Sequence, residues 1–197
     1  MKKFLIVALL LGVSLGVMAK SPAHKKSFTP NYIVGLNFLG ESNITFANGV
    51  DNSYFAPNFG ASFEGQMSTH SGFETGIYYR SESYTMPIKG MEVSNLKNSY
   101  HYLSIPLLYK FYSRILCFAV GLNYDVMVGN NDELASQQNG PQGDANRLGL
   151  MVKLTKDIHL TDNLILEPSL HFNPYLSQTS GFQAAWLGFG LGVKYSF

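Results

Sequence analysis

The chain has 197 residues, of which 46% are hydrophobic, 14% aromatic and 14% charged, with a formal net charge of +1. This balance gives no support to a nucleic-acid-binding protein, which would need an excess of basic residues. The single cysteine, Cys117, excludes an internal disulfide. Abundant phenylalanine, tyrosine and glycine with few charged residues favour β structure.

The first residues resemble an export signal. Two lysines precede an apolar run from Phe4 to Val13, and small residues continue to Ala19. This pattern predicts a secretory signal peptide cleaved after Ala19, and the small residues at its end favour cleavage over the alternative of an N-terminal membrane anchor. Cleavage would remove Lys2 and Lys3, which leaves 14 − 2 = 12 basic against 13 acidic residues in the mature chain. The expected parts are a signal peptide (1–19), an N-terminal periplasmic segment (20–30) and one barrel domain (31–197).

Eight later segments alternate between apolar and polar residues, the period of β-strands with one apolar face. In the last segment, Leu187, Phe189 and Leu191 alternate with Gly188 and Gly190. No apolar run after the signal peptide is long enough for a transmembrane helix. The apolar faces of the eight segments, in chain order, begin at Tyr32, Phe59, Phe73, Leu103, Leu116, Leu148, Leu164 and Ala185.

The connections between these segments alternate in length. The short connections are 69–71, 113–114 and 157–163, the long ones are 47–56, 83–98 and 129–146, and 176–183 is intermediate. Short periplasmic turns opposite long external loops are typical of outer-membrane barrels. The sequence therefore predicts an all-β fold, an eight-stranded antiparallel up-and-down transmembrane β-barrel in the bacterial outer membrane.

The two faces of the segments indicate which side contacts lipid. The apolar face is large and uncharged, whereas the polar face carries glycines and mid-strand charges that suit a narrow, filled lumen. The alternative is a soluble, exported, lipocalin-like barrel with its apolar face around a ligand. We expect outer-membrane lipid to cover the apolar face.

Aromatic residues near the strand ends predict two belts at the membrane interfaces. The expected periplasmic belt contains Tyr32, Phe73, Phe111, Tyr195 and Phe197. The expected outer belt contains Tyr84, Tyr100, Tyr102, Tyr124, Phe172 and Trp186.

The polar faces also predict a layer of ion pairs inside the barrel, because an unpaired charge in a narrow lumen would be costly. Pro106 lies on the polar face of the fourth segment, and its missing N–H predicts a β-bulge there. The residues expected in the layer are Glu64, Glu74, Lys110, Lys153, Glu167 and Lys194.

The fourth segment carries a family resemblance. It reads Tyr102-Leu103-Ser104-Ile105-Pro106-Leu107-Leu108-Tyr109-Lys110-Phe111, which resembles the Tyr-Leu-x-Ile-Pro-Leu-Leu-x-Lys-Tyr segment of the PorT-like outer-membrane barrels. That family usually has an acidic residue at the position of Ser104. The resemblance implies a barrel fold, an outer-membrane location and an accessory role in secretion, and it implies no active-site residue.

One cluster has the residue types of a hydrolase. Glu167, Ser169 and His171 share a strand face, and a lipid-modifying enzyme would need such a nucleophile and base. They should face the lumen, however, away from a lipid substrate. No histidine spacing predicts a metal site, the loop 129–146 lacks the acidic spacing of a calcium loop, and no cofactor is predicted.

The prediction is a non-catalytic outer-membrane barrel with a structural or loop-mediated interaction role. It has three external loops, 47–56, 83–98 and 129–146, through which a protein partner could bind. The alternatives are an outer-membrane lipid-modifying enzyme using Ser169 and His171, and the soluble lipocalin-like barrel.

Overall fold

A computed structural model describes residues 30–45, 55–87, 95–132, 146–176 and 184–197. The predicted signal peptide and most of the N-terminal segment lie outside these ranges and stay predictions. No helix long and apolar enough to cross a membrane occurs in the described ranges.

The strands are β1 (Asn31–Thr45), β2 (Phe55–Gln66), β3 (Ser71–Pro87), β4 (Asn95–Phe111), β5 (Cys117–Asp132), β6 (Asn146–Thr155), β7 (Ile158–His159), β8 (Leu164–Pro174) and β9 (Ala184–Ser196).

The strands form one closed antiparallel sheet. Each long strand pairs with the next along the chain, and β1 pairs with β9, which closes the barrel. The two-residue β7 pairs only with β8 inside the turn that joins β6 to β8, and β6 and β8 pair directly. Eight long strands therefore make the barrel wall, and the predicted fold is confirmed.

The barrel has its apolar residues outside. Leu36, Phe38 and Leu107 are 62%, 66% and 64% exposed, whereas Glu64 and Lys110 are 1% exposed. This is the reverse of a water-soluble protein, so the exterior requires lipid. The lipocalin-like interpretation is wrong, because the face that would surround its ligand is the outer surface.

The two ends of the barrel differ. Turns 67–70, 112–116 and 156–163 and the chain end at Phe197 lie at one end, which we call the short-turn end. Connections 46–54, 88–94, 133–145 and 177–183, which lie outside the described residues, leave from the other, which we call the long-connection end.

The strands reach further into the predicted loops than the sequence indicated. β3 runs to Pro87 and β4 starts at Asn95, so much of the predicted loop 83–98 is a paired hairpin. The predicted loop was too long, because apolar and polar residues need to alternate only where one face of a strand contacts lipid. Beyond the membrane both faces are wet, and a hydrogen-bonded ladder continues there without an apolar pattern.

The bulge predicted at Pro106 is also wrong. Pro106 pairs with Asn123 in an unshifted register, and Thr75 Oγ1 donates a hydrogen bond of 2.8 Å to the Pro106 carbonyl. The register shift lies instead between His101 and Tyr102. There Val128 of β5 is the extra residue, since Tyr102 pairs with Met127 and His101 with Gly129.

Candidate functional site in the barrel lumen

A buried ion layer lies toward the short-turn end of the lumen, as predicted. Lys153 Nζ lies 2.6 Å from Glu74 Oε1 and 2.9 Å from Glu167 Oε1. Lys110 Nζ lies 2.6 Å from Glu167 Oε2. We call the six residues the ion layer: Glu64, Glu74, Lys110, Lys153, Glu167 and Lys194.

The carboxylates of the ion layer also have the geometry of a metal site. Oxygens of Glu64, Glu74 and Glu167 lie within 4.8 Å of one another, and carboxylate oxygens are the ligands of hard cations. Three lysine ammonium groups already neutralise these three carboxylates. The arrangement therefore acts as a neutral ion cluster that closes the lumen.

An apolar layer follows the ion layer along the lumen. Leu108 and Met151 lie two residues beyond Lys110 and Lys153 on β4 and β6, and with Ala119 they form a buried hydrophobic cluster. All three side chains are at most 5% exposed. The cluster lies on β4, β5 and β6, on one side of the lumen, next to Lys110 and Lys153.

The polar groups beyond the apolar layer converge on Glu41 of β1. Its Oε1 lies 2.8 Å from Arg80 Nη2 and 2.6 Å from His171 Nε2. Its Oε2 accepts a hydrogen bond of 2.6 Å from Asn58. Four strands therefore meet at one fully buried carboxylate, which we call the Glu41 network.

Asp125 connects the Glu41 network to the outer part of the lumen. Asp125 Oδ1 lies 3.7 Å from Arg80 Nη1 and accepts a hydrogen bond of 2.6 Å from Asn123. Its Oδ2 accepts a hydrogen bond of 2.8 Å from Tyr175, whose hydroxyl in turn accepts one from Trp186 Nε1. Side-chain contacts therefore join Arg80, Asp125, Tyr175 and Trp186 in one series.

Arg147 of β6 carries a buried charge close to the long-connection end. It pairs with Glu82 at 2.7 Å, and its guanidinium lies over the rings of Tyr102 and Tyr175, 4.6 and 5.1 Å from their centroids. Such contacts stabilise a buried cation through the ring quadrupole.

The predicted outer aromatic belt is therefore partly wrong. Tyr100, Tyr102 and Trp186 are only 3%, 0% and 1% exposed and face the lumen, where Tyr102 and Trp186 lie against arginines. Tyr124 and Phe172, at 43% and 40%, do face outward. The side chain of Tyr84 lies outside the described residues.

The residue types of a hydrolase do not form a unit. Glu167, Ser169 and His171 share the lumen side of β8 as predicted, but Glu167 belongs to the ion layer and His171 Nε2 contacts Glu41. Among the residues that the structure describes, no hydrogen bond joins Ser169 to His171. The arrangement gives Ser169 no positioned base.

A cavity of about 520 Å³ opens at the short-turn end. All three short turns line it, with His70, Arg114, Asp157 and Cys117 among the lining residues. Burial raises the pKa of Asp157 above its ordinary value of 3.8. Cys117 Sγ donates to Asp157 Oδ2 across 3.6 Å.

Sequence reasoning missed the Glu41 network and the cavity. Glu41 lies on the same lumen-facing side of β1 as Ile33 and Asn37. Extending the predicted first strand past Phe38 would therefore have placed Glu41 in the lumen. The cavity has no such signal, because its residues come from turns that meet only when the barrel closes.

A closed antiparallel barrel with an apolar exterior and a filled polar lumen is the architecture of a transmembrane β-barrel. No protein-family model matches the chain, and no curated protein matches it. Solved structures that share its fold include several outer-membrane proteins, and the chain is an outer-membrane β-barrel.

Three solved structures illustrate the likeness. Outer membrane protein OprG of Pseudomonas aeruginosa aligns with a TM-score of 0.58 at 14% identity, over 85% of this chain and 95% of that one. Outer membrane protein W of E. coli aligns with a TM-score of 0.53 at 13% identity, over 87% and 100%. Ail of Yersinia pestis, in complex with the heparin analogue sucrose octasulfate, aligns with a TM-score of 0.51 at 9% identity, over 86% and 100%.

Proposed function

We propose that this barrel is a non-catalytic protein that acts at its long-connection end, as a structural component or as a docking site for another protein. The observation that carries the proposal is the filled lumen. Each described lumen carboxylate lies within 4 Å of a lysine or arginine nitrogen. The ion pairs are Glu41–Arg80, Glu64–Lys110, Glu74–Lys153, Glu82–Arg147, Asp125–Arg80 and Glu167–Lys110.

A lumen of this kind offers neither a reactive carboxylate nor an open path. The buried cluster of Leu108, Ala119 and Met151 occupies one side of it between two charged regions. Eight strands enclose only enough space for side chains. Recognition then falls to the connections, which are where scaffold proteins usually carry it.

The orientation follows the rule for outer-membrane barrels, with the short-turn end in the periplasm and the long-connection end outside. The predicted loops 47–56, 83–98 and 129–146 then reach the cell exterior. Their parts between the strands lie outside the described residues, so their role rests on the sequence and on where the strands end.

The resemblance of Tyr102–Phe111 to the PorT-like barrels supports a finer proposal, an accessory role in secretion or envelope assembly. The polyanion bound by Ail suggests another ligand class. The loop 129–146 carries Asp132, Glu133 and Asp144, and such acidic groups favour a protein over a sulfated saccharide.

The test is photo-cross-linking in intact cells from a probe at Gln138, in the connection 133–145. The matched control is the same probe at Thr69, in a turn at the opposite end of the barrel. We expect one protein to be captured from Gln138 and not from Thr69. External labelling at Gln138 without capture would favour the structural role, and capture from Thr69 alone would contradict the proposed end.

The non-catalytic part has its own test. Ser169→Ala is expected to leave the lipid composition of the outer membrane unchanged, as judged by mass spectrometry of extracted lipids. A reproducible change in the acylation of these lipids would contradict the non-catalytic proposal and favour the lipid-modifying alternative.

A further inference from the structure

The apolar exterior of the barrel extends into two of its three short turns. Ile115, in the turn between β4 and β5, is 76% exposed, and Leu160, in the turn between β6 and β8, is 54% exposed. These two turns are neighbours, because β5 follows the first and pairs with β6, which leads into the second. The third short turn carries Ser68, Thr69 and His70. One side of the short-turn end therefore offers the bilayer more apolar surface than the other.

A lysine lies on the lipid-facing side at this place. Alternate residues of a strand share a face, and Lys156 stands between the outward-facing Leu154 and Ile158. Leu154 pairs with Leu170 of β8. Ile158 pairs with Leu166, so the register is the same on both sides of Lys156. The outward direction of this face is therefore kept through the lysine.

The cation of Lys156 is only partly satisfied by the protein. Its Nζ donates a hydrogen bond of 2.6 Å to the Arg114 carbonyl oxygen, and an ammonium group has three donors. Arg114 itself is exposed in the neighbouring turn. Within the described ranges no carboxylate pairs with either side chain. Two cations therefore lie side by side with hydrogen-bond donors to offer a ligand.

The acidic residues of the same turn are directed into the barrel. Asp157 Oδ2 accepts a hydrogen bond from Cys117 Sγ, and Asp157 Oδ1 lies 3.9 Å from Lys110 Nζ in the lumen. Asp162 is among the residues that line the cavity at the short-turn end, which Arg114 also borders. Neither carboxylate offers a partner to a positive group on the lipid side.

The height of Lys156 matches that of lipid headgroups. Phe118 pairs with both Phe111 and Leu154, and the rings of Phe111 and Phe118 stack with centroids 6.4 Å apart. Aromatic rings collect at the headgroup level of a bilayer. Lys156 lies two residues closer to the short-turn end than Leu154, and lysine side chains extend from such positions to the interface.

We propose that Lys156 and Arg114 bind the phosphate of an anionic phospholipid in the leaflet on the short-turn side. Its acyl chains lie against the exposed side chains of Leu116, Leu154 and Ile158. Two cations without a neighbouring carboxylate favour a lipid of net negative charge over one whose headgroup also carries an ammonium. With the orientation proposed above, this is the periplasmic leaflet.

The chain's own undescribed residues fit the site poorly. Of the segments outside the described ranges, only 1–29 leaves from the short-turn end. It leads into β1, and both β9 and β8 lie between β1 and β6 in the sheet. The segment contains lysines and no acidic residue, so a pair of cations repels it. The negative charge that the site needs comes from lipid.

The first test is lipid binding by the purified full-length protein in neutral detergent micelles, counted by native mass spectrometry. Phosphatidylglycerol is expected to bind at least about fivefold more tightly than phosphatidylcholine, which has the same phosphate and an added ammonium. Equal affinities would overturn the inference. Inorganic phosphate at the same concentration should not compete, and competition would show a site for free anions and overturn the lipid proposal.

The second test assigns the preference to the two cations. Lys156→Gln is expected to lower the preference for phosphatidylglycerol, and adding Arg114→Gln should abolish it, whereas Lys156→Arg should keep it. Lys97→Gln is the matched control, because it removes the same charge from β4 at the opposite end of the barrel. All variants are compared at equal fractions of folded barrel. An equal loss with Lys97→Gln would mean that net charge alone is responsible, and would overturn the site.

The third test uses native outer membranes and a phosphatidylglycerol with a photoreactive group beside its phosphate. The expected product carries the label in the turn between β6 and β8 or in the turn between β4 and β5. Labelling confined to other parts of the barrel would overturn the inference. None of these measurements involves the connection 133–145, so capture of a protein from Gln138 and binding of lipid at Lys156 succeed or fail separately.

Discussion

Lys153 shows how the lumen charges are balanced at the level of single residues. Its side chain is 5% exposed and is held by Glu74 and Glu167. Removing one partner of a buried ion pair leaves an uncompensated charge, which costs more than the pair itself contributes. The cost of a substitution in the ion layer should therefore depend on the net charge left behind.

Lys153→Met is expected to lower the free energy of unfolding by about 3–5 kcal/mol. The measurement is urea unfolding in detergent micelles, followed by tryptophan fluorescence. Lys156→Met is the matched control, because Lys156 Nζ donates to the exposed Arg114 carbonyl. This substitution should change stability by less than about 0.5 kcal/mol. Adding Glu74→Gln to Lys153→Met restores neutrality, and failure to recover any stability would contradict charge balance as the cause.

Asp157 gives a prediction about pH. Burial raises its pKa in the folded state above the ordinary value of 3.8, so folding favours the protonated acid. The contribution of Asp157 to stability is unfavourable at neutral pH and improves as the pH falls through the raised pKa. Asp157→Asn should therefore raise the melting temperature at neutral pH and gain less near pH 4, measured by thermal scans in micelles. A larger gain at the lower pH would contradict this assignment.

The membership of the ion layer could be predicted residue by residue, because position along an alternating strand fixes both the side and the height of a side chain. The partners within the Glu41 network could not. Arg80 and Glu41 lie on β3 and β1, which are not paired with each other, and their contact passes over β2 inside the lumen. Contacts between unpaired strands depend on the curvature of the closed barrel, which no single strand contains.

At the level of the strands, glycines decide how closely β5 packs in the wall. A Cβ on Gly121 would lie 2.0 Å from the Leu107 carbonyl oxygen and 2.8 Å from Leu108 Cα. A Cβ on Gly129 of the same strand would have its nearest contact at 3.7 Å, with His101. Two glycines of one strand thus differ in whether they can be replaced.

Gly121→Ala is expected to cost about 1–3 kcal/mol or more, since the clash is with backbone that cannot rotate away. Gly129→Ala should be tolerated within about 0.5 kcal/mol. Both are measured by urea unfolding in the same detergent. Equal losses would show that the wall at Gly121 relaxes, and would argue against close packing there.

Strand type and phase were predictable and strand length was not. The alternation of Leu103, Ile105 and Leu107 with polar residues indicates that one side of the strand contacts lipid, so it identifies the membrane-spanning part of β4. The extension of β4 to Asn95 lies beyond the lipid, so it needs no apolar face, and it is stabilised by its hydrogen-bonded ladder to β3. The aromatic residues Tyr102 and Trp186 misled for a related reason, because a ring suits a lipid interface and an arginine-lined lumen equally well.

At the level of the whole molecule, the ion layer and the Glu41 network fill the lumen with paired side chains at two successive heights. We expect the protein, reconstituted into planar bilayers, to show no stepwise conductance at voltages that leave the bilayer intact. Bilayers treated with protein-free detergent provide the baseline. Stable open steps that scale with protein amount would contradict the closed lumen.

The outward position of the apolar side chains has a thermodynamic consequence. Residues such as Phe38 and Leu107 bury their surface against amphiphile molecules and not against one another, so those molecules belong to the folded state. Ligands that bind only the folded state stabilise it by mass action, and lipid here acts as such a ligand in many copies. The free energy of unfolding is then a property of the protein together with its bilayer. The same chain should accordingly show different stabilities in lipids of different acyl length, with an optimum where hydrocarbon thickness matches the apolar band.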